Sequence, residues 1–140
     1  MKLIDTNIIA YAYDGSEIEK RRKCKKLIEQ AFKESEEFCV TNQILGELFY
    51  TITKNFRKPL SFTKARVIVE SIIDSEKWEK LCYTHETVRT AGVYVEKFGI
   101  NFWDALIAAT MIENNIFTIY TENDKDFKKI PGLEVINPLS

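Results

Sequence analysis

Short, mostly apolar runs alternate with longer segments of helical period along the whole chain, and this alternation limits the fold more than any other feature. Leu3-Ile4, Phe38 to Val40, Trp78 to Tyr83, Phe117 to Tyr120 and Leu133 to Ile136 are too short for helices and too apolar for strands with one wet face. Such strands are covered on both sides. The expected class is therefore α/β, a three-layer arrangement with a central, mostly parallel sheet between helices. With 140 residues, 45% hydrophobic and 12% aromatic, the chain has material for one core, and a single domain spanning residues 1–140 is expected. The same composition excludes intrinsic disorder.

Between the strands, the helical segments carry recognisable ends. After Leu3-Ile4 the chain turns at Asp5-Thr6-Asn7 into a short helix carrying Ile8, Ile9, Tyr11 and Ala12. Ser16 is the expected N-cap of a helix running to about Glu34, with Ile18, Cys24, Leu27, Ile28 and Ala31 on its inner face. Thr41 or Asn42 caps the next helix, whose stripe of Ile44, Leu45, Leu48, Phe49 and Ile52 ends before Lys54-Asn55 and leaves Glu47 on its flank. Beyond Pro59, the run from Phe62 to Ile73 reads as a helix ending at Asp74-Ser75. Thr84 caps a helix that Gly99 terminates in the left-handed region. Asn101 to about Asn115 is the strongest helix: Asn101 is its cap, Asp104 stands at the capping-box position, and Leu106 to Ile112 is apolar on most sides.

Several function classes fall away. The start MKLIDTN has no secretory apolar region, and no run approaches a membrane-spanning length, so a cytoplasmic protein with no membrane contact is expected. Cys24, Cys39 and Cys82 are odd in number and widely spaced, which fits neither a disulfide framework nor a zinc knuckle. His85 is the only imidazole and reads as a helix-start residue. Chemistry here rests on carboxylates. With 20 Lys+Arg against 21 Asp+Glu, a net charge of −1 also excludes a polycation that binds nucleic acid by plain basic excess.

In parallel α/β sheets, ligands bind beyond the carboxyl ends of the strands. Asp5 directly follows the first strand, and Glu122, Asp124 and Asp126 follow the strand ending at Tyr120. Asp104 and Glu47 stand near the starts of their helices. Each has a local alternative: a helix cap for Asp5, a capping-box partner for Asp104, a surface position for Glu47, a solvated turn for the last cluster. Their shared edge favours a joint role. Oxygen donors of this kind suit Mg²⁺ or Mn²⁺. Two such ions about 4 Å apart activate water and stabilise a leaving oxygen in phosphodiester hydrolysis.

The segments LIDTNIIAY, TNQILGELFY, NFWDALIAATMIENN and IYTENDKDFKKIPGLEVINP together resemble, in order and spacing, the PIN-domain family, and within it the VapC-like toxins of prokaryotic toxin–antitoxin pairs. The resemblance runs from Leu3 to Pro138. It implies an α/β/α sandwich, a Mg²⁺- or Mn²⁺-dependent ribonuclease acting on RNA, a small antitoxin protein as partner, and a homodimer. The family's first three acids fall on Asp5, Glu47 and Asp104, with Asp5 and Asp104 as direct metal ligands and Glu47 direct or through water. At the fourth acid this chain departs, carrying Asn123, and Asp126 is the first substitute, ahead of Glu122 and Asp124. Asn offers a carbonyl oxygen but no charge, so one tight and one weak metal are expected. Thr6, Asn7 and Thr121 are expected to touch water, metal or phosphate.

An acidic pocket needs a basic rim to hold RNA. Lys54 to Arg66 is acid-free and includes Lys54, Arg57 and Lys58, which are taken as RNA contacts; Lys20 to Lys26 reads as a solvated helix face. Phe56 and Phe62 read as core residues before base-stacking ones. Three other readings remain. A Mg²⁺-dependent phosphatase of the haloacid-dehalogenase type would need a second Asp where Asn7 stands, and a receiver domain would leave Glu47 and Asp104 without a role. A weakly active or inactive PIN domain, acting by binding RNA or protein, is the alternative that Asn123 raises.

Overall fold

The computed structural model describes residues 1–140. In chain order the elements are β1 (Lys2–Ile4), α1 (Thr6–Tyr11), α2 (Ile18–Lys33), β2 (Phe38–Thr41) and α3 (Asn42–Tyr50), which runs on into a π-helical turn, Thr51–Asn55. Then follow α4 (Phe62–Asp74), β3 (Trp78–Leu81), α5 (His85–Phe98), α6 (Phe102–Glu113), β4 (Thr118–Tyr120), α7 (Asp124–Phe127) and β5 (Glu134–Ile136). The five strands form one sheet, ordered β3-β2-β1-β4-β5, and every pairing is parallel.

That order determines where the helices lie. From β1 the chain steps outward to β2 and β3, then crosses β1 to β4 and steps the other way to β5. Parallel crossovers are right-handed, so the two directions put α1 to α4 on one face and α5 to α7 on the other. The helix contacts agree: α1 packs on α2 and α3, α3 on α4, α5 on α6, and α6 on α7. The result is the α/β/α sandwich, and the strand order reverses at β1.

Burial follows the apolar runs. Leu3, Ile4, Phe38, Cys39, Val40, Trp78 and Ile119 of the sheet are buried, with Ile8, Ile9, Ile44, Leu48 and Ile72 against one face. On the other, α6 buries every residue from Ala105 to Met111, which explains why it is apolar all round. Cys24 and Cys39 are buried in the core and Cys82 is exposed, all as free thiols. No helix is long and apolar enough to cross a membrane.

The caps hold with instructive exceptions. Thr41 Oγ1 accepts from Ile44 N at 3.1 Å, Ser61 Oγ from Lys64 N at 3.2 Å, and Gly99 ends α5 at φ 65°. Ser16 does not cap α2: its N–H and hydroxyl both bind Asp14 Oδ1, at 3.0 and 2.7 Å, so the helix begins at Ile18. The apolar stripe of α3 ends before Lys54, as expected, but the helix does not: the π-helical turn carries it on to Asn55, with Lys54 and Asn55 exposed. β3 ends at Leu81, not Tyr83, since Tyr83 N leaves the ladder to donate to Asn42 Oδ1 at 3.1 Å. Asn101 caps α6 by accepting from Trp103 N at 2.9 Å, but Asp104 does not close a capping box. The Asn101 N–H is instead taken by Asp126 Oδ2 at 3.3 Å, which leaves Asp104 free for other partners. Phe62 is not a core residue: it is 64% exposed, stacked on Phe49 with ring centroids 6.5 Å apart.

Candidate active site

Asp5 is the residue on which the strand reversal places a side chain. It follows β1, its backbone N–H pairs with Tyr120 O of β4 at 2.9 Å, and it is only 5% exposed. Both carboxylate oxygens are engaged. Oδ1 accepts from Thr6 N at 2.7 Å, and Oδ2 accepts from the Thr121 hydroxyl at 2.7 Å. Burial nevertheless raises its pKa above the ordinary carboxylate value, against the opposing pull of the Thr121 and Thr6 hydrogen bonds. Thr121, fully buried just after β4, also accepts from Asn123 N at 3.0 Å, so one hydroxyl joins the first and last acidic segments.

Glu47 and Asp104 reach the same cavity from α3 and α6. Thr6 donates its hydroxyl to Glu47 Oε1 at 3.3 Å, and Asn123 donates its amide to Asp104 Oδ2 at 2.6 Å. Burial and then the Asp5 charge push Glu47 up to about 6. Burial, followed by the Asp5, Asp126 and Glu47 carboxylates, pushes Asp104 up to about 7. Buried carboxylates raised further by a neighbouring carboxylate carry unrelieved negative charge. The cavity they share measures about 550 Å³ and is lined by Asp5, Glu47, Asp104, Asn123, Thr6 and Asn7, among others.

These residues fit a hard divalent cation. No three acidic side chains stand together as a ready-made ligand cluster. Mg²⁺, however, characteristically takes one or two carboxylates and completes its shell with water and phosphate oxygens, and the cavity offers carboxylates with room beside them.

Not all candidate residues line this cavity. Asp126 accepts from Asn101 N and acts on the cavity through Asp104, whose proton affinity it raises. Thr121 acts through Asp5. Arg57 lines a neighbouring cavity, while Lys54 is exposed with its ammonium 5.4 Å from the Phe62 ring, and Lys58 is exposed. Lys20 is more than part of a solvated helix face: it donates to Tyr11 Oη and to Glu122 Oε1, both at 3.2 Å, and these partners raise its pKa. Tyr50, Thr51 and Asn55 also line the cavity and were not singled out from sequence. Glu47, Thr51 and Asn55 are spaced by four, a helical face that would have shown them had the helix been continued past Ile52.

A parallel α/β/α sandwich with carboxylates gathered in a cavity at the strand reversal defines the class by fold and site together. The chain belongs to the PIN domain family, whose model matches residues 2–133. A curated relative, Ribonuclease VapC of Rickettsia bellii, is 52% identical over 44 residues; the match spans 31% of this chain and about a third, 32%, of that protein's length. Among solved structures, Mycobacterium tuberculosis VapC20, described as a sarcin-ricin loop cleaving toxin, is similar in fold with a TM-score of 0.73 at 16% identity, covering 91% of this chain and 94% of that one. A DNA-bound VapBC from Salmonella typhimurium gives a TM-score of 0.69 at 20% identity, covering 98% and 97%.

Proposed function

We propose that this protein is a divalent-cation-dependent endoribonuclease and the toxin of a toxin–antitoxin pair. One observation carries the reading: Asp5, Glu47 and Asp104, from three distant segments, line one cavity, where burial and then the Asp5 charge raise the proton affinity of the other two. Membership of the PIN family and the partial match to a protein named Ribonuclease VapC support it. The VapBC name of the Salmonella typhimurium complex supports a small antitoxin protein as partner, and a homodimer belongs to the same reading.

Asp5 and Asp104 would hold Mg²⁺ or Mn²⁺, with Glu47 direct or through water. When bound, the ion supplies a water of lowered pKa and neutralises charge on the scissile phosphate. The chain's own residues do the rest. Thr121 and Thr6 fix both oxygens of Asp5, so that its carboxylate does not rotate away as RNA enters. Glu47, with its raised proton affinity, is suited to orient the attacking water and take its proton. Asn123, bound to Asp104 by its amide, supplies no charge of its own and supports one strongly held ion rather than two.

The test is cleavage of single-stranded and looped RNA in Mg²⁺, in Mn²⁺ and in chelator by the parent, Asp5→Asn and Asp104→Asn, with circular dichroism to verify folding. Cleavage by the parent that requires metal and disappears in both folded variants is expected. If both variants cut RNA as fast as the parent, the assignment is wrong; if no metal elicits cleavage by the parent, a binding role replaces it.

A further inference from the structure

Beside the acidic cavity lies a second one of about 350 Å³, within the size range of small-ligand pockets, about 300–1,000 Å³. The two share Asn7, Thr51 and Asn55, so they form one groove. Its wall includes Tyr11 and Phe56, and Arg57 stands on its lining. Tyr11 is held in place by Lys20, whose ammonium lies 4.7 Å from the ring centroid and 3.2 Å from the hydroxyl.

Asp14 is the unexplained residue of this cavity. It is 7% exposed, yet it has no cationic partner. Oδ1 accepts both from Ser16 N and from the Ser16 hydroxyl, while Oδ2 accepts from nothing. Oδ2 is not sealed off, since the only buried side-chain polar atoms without partners are Gln43 Oε1 and Trp78 Nε1. A turn-forming Asp needs one oxygen; the second is left as an unused acceptor on a residue that lines the cavity.

We infer that this second cavity is a base-reading subsite and that Asp14 selects guanine next to the bond that is cut. The inference rests on the ribonuclease reading above. An ionised carboxylate is acceptor-only. Guanine alone among the RNA bases presents two adjacent donors on one edge, N1–H and the 2-amino group. Both donors can converge on the one free oxygen, Oδ2, whereas adenine and cytosine offer it a single amino group beside a ring acceptor and uracil a single N3–H between carbonyls, so each binds it more weakly. Tyr11 provides aromatic surface for the base, Phe56, 8% exposed, backs the wall from the core, and Arg57 provides charge for an adjoining phosphate. The residues shared with the acidic cavity put this nucleotide beside the scissile phosphate.

The experiment measures binding apart from cleavage. Fluorescence anisotropy of the full chain carrying Asp104→Asn, in Mg²⁺, is read with short RNAs differing at one position: guanine, inosine, adenine, cytosine or uracil. Guanine is expected to bind about ten- to a hundredfold more tightly than the other standard bases, with inosine, lacking the 2-amino donor, in between. Adding Asp14→Asn, which keeps an oxygen for Ser16 but turns a donor to the cavity, is expected to remove the preference. Equal affinity for all five RNAs overturns the inference, and the inosine comparison needs no Asp14 variant to fold. A preference that survives Asp14→Asn also overturns it, as does displacement by arginine amide, which would assign the cavity to a protein side chain. Metal-dependent cleavage with no base preference leaves the ribonuclease reading standing while this inference falls; absence of cleavage by the parent removes the reading beneath it.

Discussion

Asn123 holds Asp104 Oδ2 with its side-chain amide at 2.6 Å, so the position where many PIN domains carry a fourth acid here donates a hydrogen bond to the third. The amide relieves part of the charge on Asp104 without bringing charge of its own. Asn123→Asp would replace that donor with a second carboxylate. Calorimetric titration with Mn²⁺ is expected to show tighter binding and a second ion in this variant. In chelator the same variant is expected to unfold at a lower temperature than the parent, because two facing carboxylates repel. Unchanged metal affinity together with unchanged apo stability would show that Asn123 does not belong to the metal site.

A pH dependence follows from the raised carboxyl groups. A carboxyl held above its unfolded value binds its proton more tightly in the folded state. Its contribution to stability is therefore complete below the unfolded pKa and is lost as pH rises through the folded one. For Asp104 that window runs from 3.8 to about 7, and for Glu47 from 4.5 to about 6. In chelator, the melting temperature of the parent is expected to fall across this window relative to that of Asp104→Asn. Saturating Mg²⁺ should reverse the fall, since only the deprotonated groups bind it. Parallel melting curves for parent and variant would remove this linkage.

Thr121 is fully buried and its hydroxyl serves twice, donating to Asp5 Oδ2 and accepting from Asn123 N. Thr121→Val keeps the shape and removes the oxygen, leaving a buried carboxylate oxygen and a backbone N–H without partners. A loss of about 1–3 kcal/mol in urea unfolding is expected. Asp5 would also lose a bond that lowers its pKa, so the variant should need a higher pH for the same Mn²⁺ affinity. Thr121→Ser should restore both, whereas a Val variant with unaltered metal affinity would reduce Thr121 to a packing residue.

The legible parts of this fold are those with local causes. Leu3-Ile4 and Phe38 to Val40 could be read as buried strands from their apolarity, and Thr41, Asn101 and Gly99 as helix ends from their cap chemistry. Three of the acids were found because each stands at the start of an element that a parallel sheet points to one edge. What stayed hidden depended on distant partners. Asp104 had the spacing of a capping-box residue, but Asp126, far along the chain, takes the Asn101 N–H. Asp14 is held in a turn by Ser16, a local feature, but its free oxygen only has meaning beside a cavity that Arg57 and Tyr11 complete. The order of the strands likewise depends on crossovers of many residues and leaves no mark at any single position.

Arg57 tests whether the acid-free stretch from Lys54 to Arg66 contributes charge to RNA binding. It is exposed and lines the groove that leads from the acidic cavity, whereas Lys54 is drawn toward Phe62, 5.4 Å from its ring. Each phosphate neutralised on a single strand contributes about 0.7 to the slope of log affinity against log salt. In the cleavage-deficient Asp104→Asn background, Arg57→Gln is expected to lower the steepness of that slope by about 0.7, while Lys54→Gln should change it less. A slope that Arg57→Gln leaves untouched would place the RNA backbone on a different path. If Lys54→Gln had the larger effect, that path would run along the exposed face of Phe62 instead of through the groove.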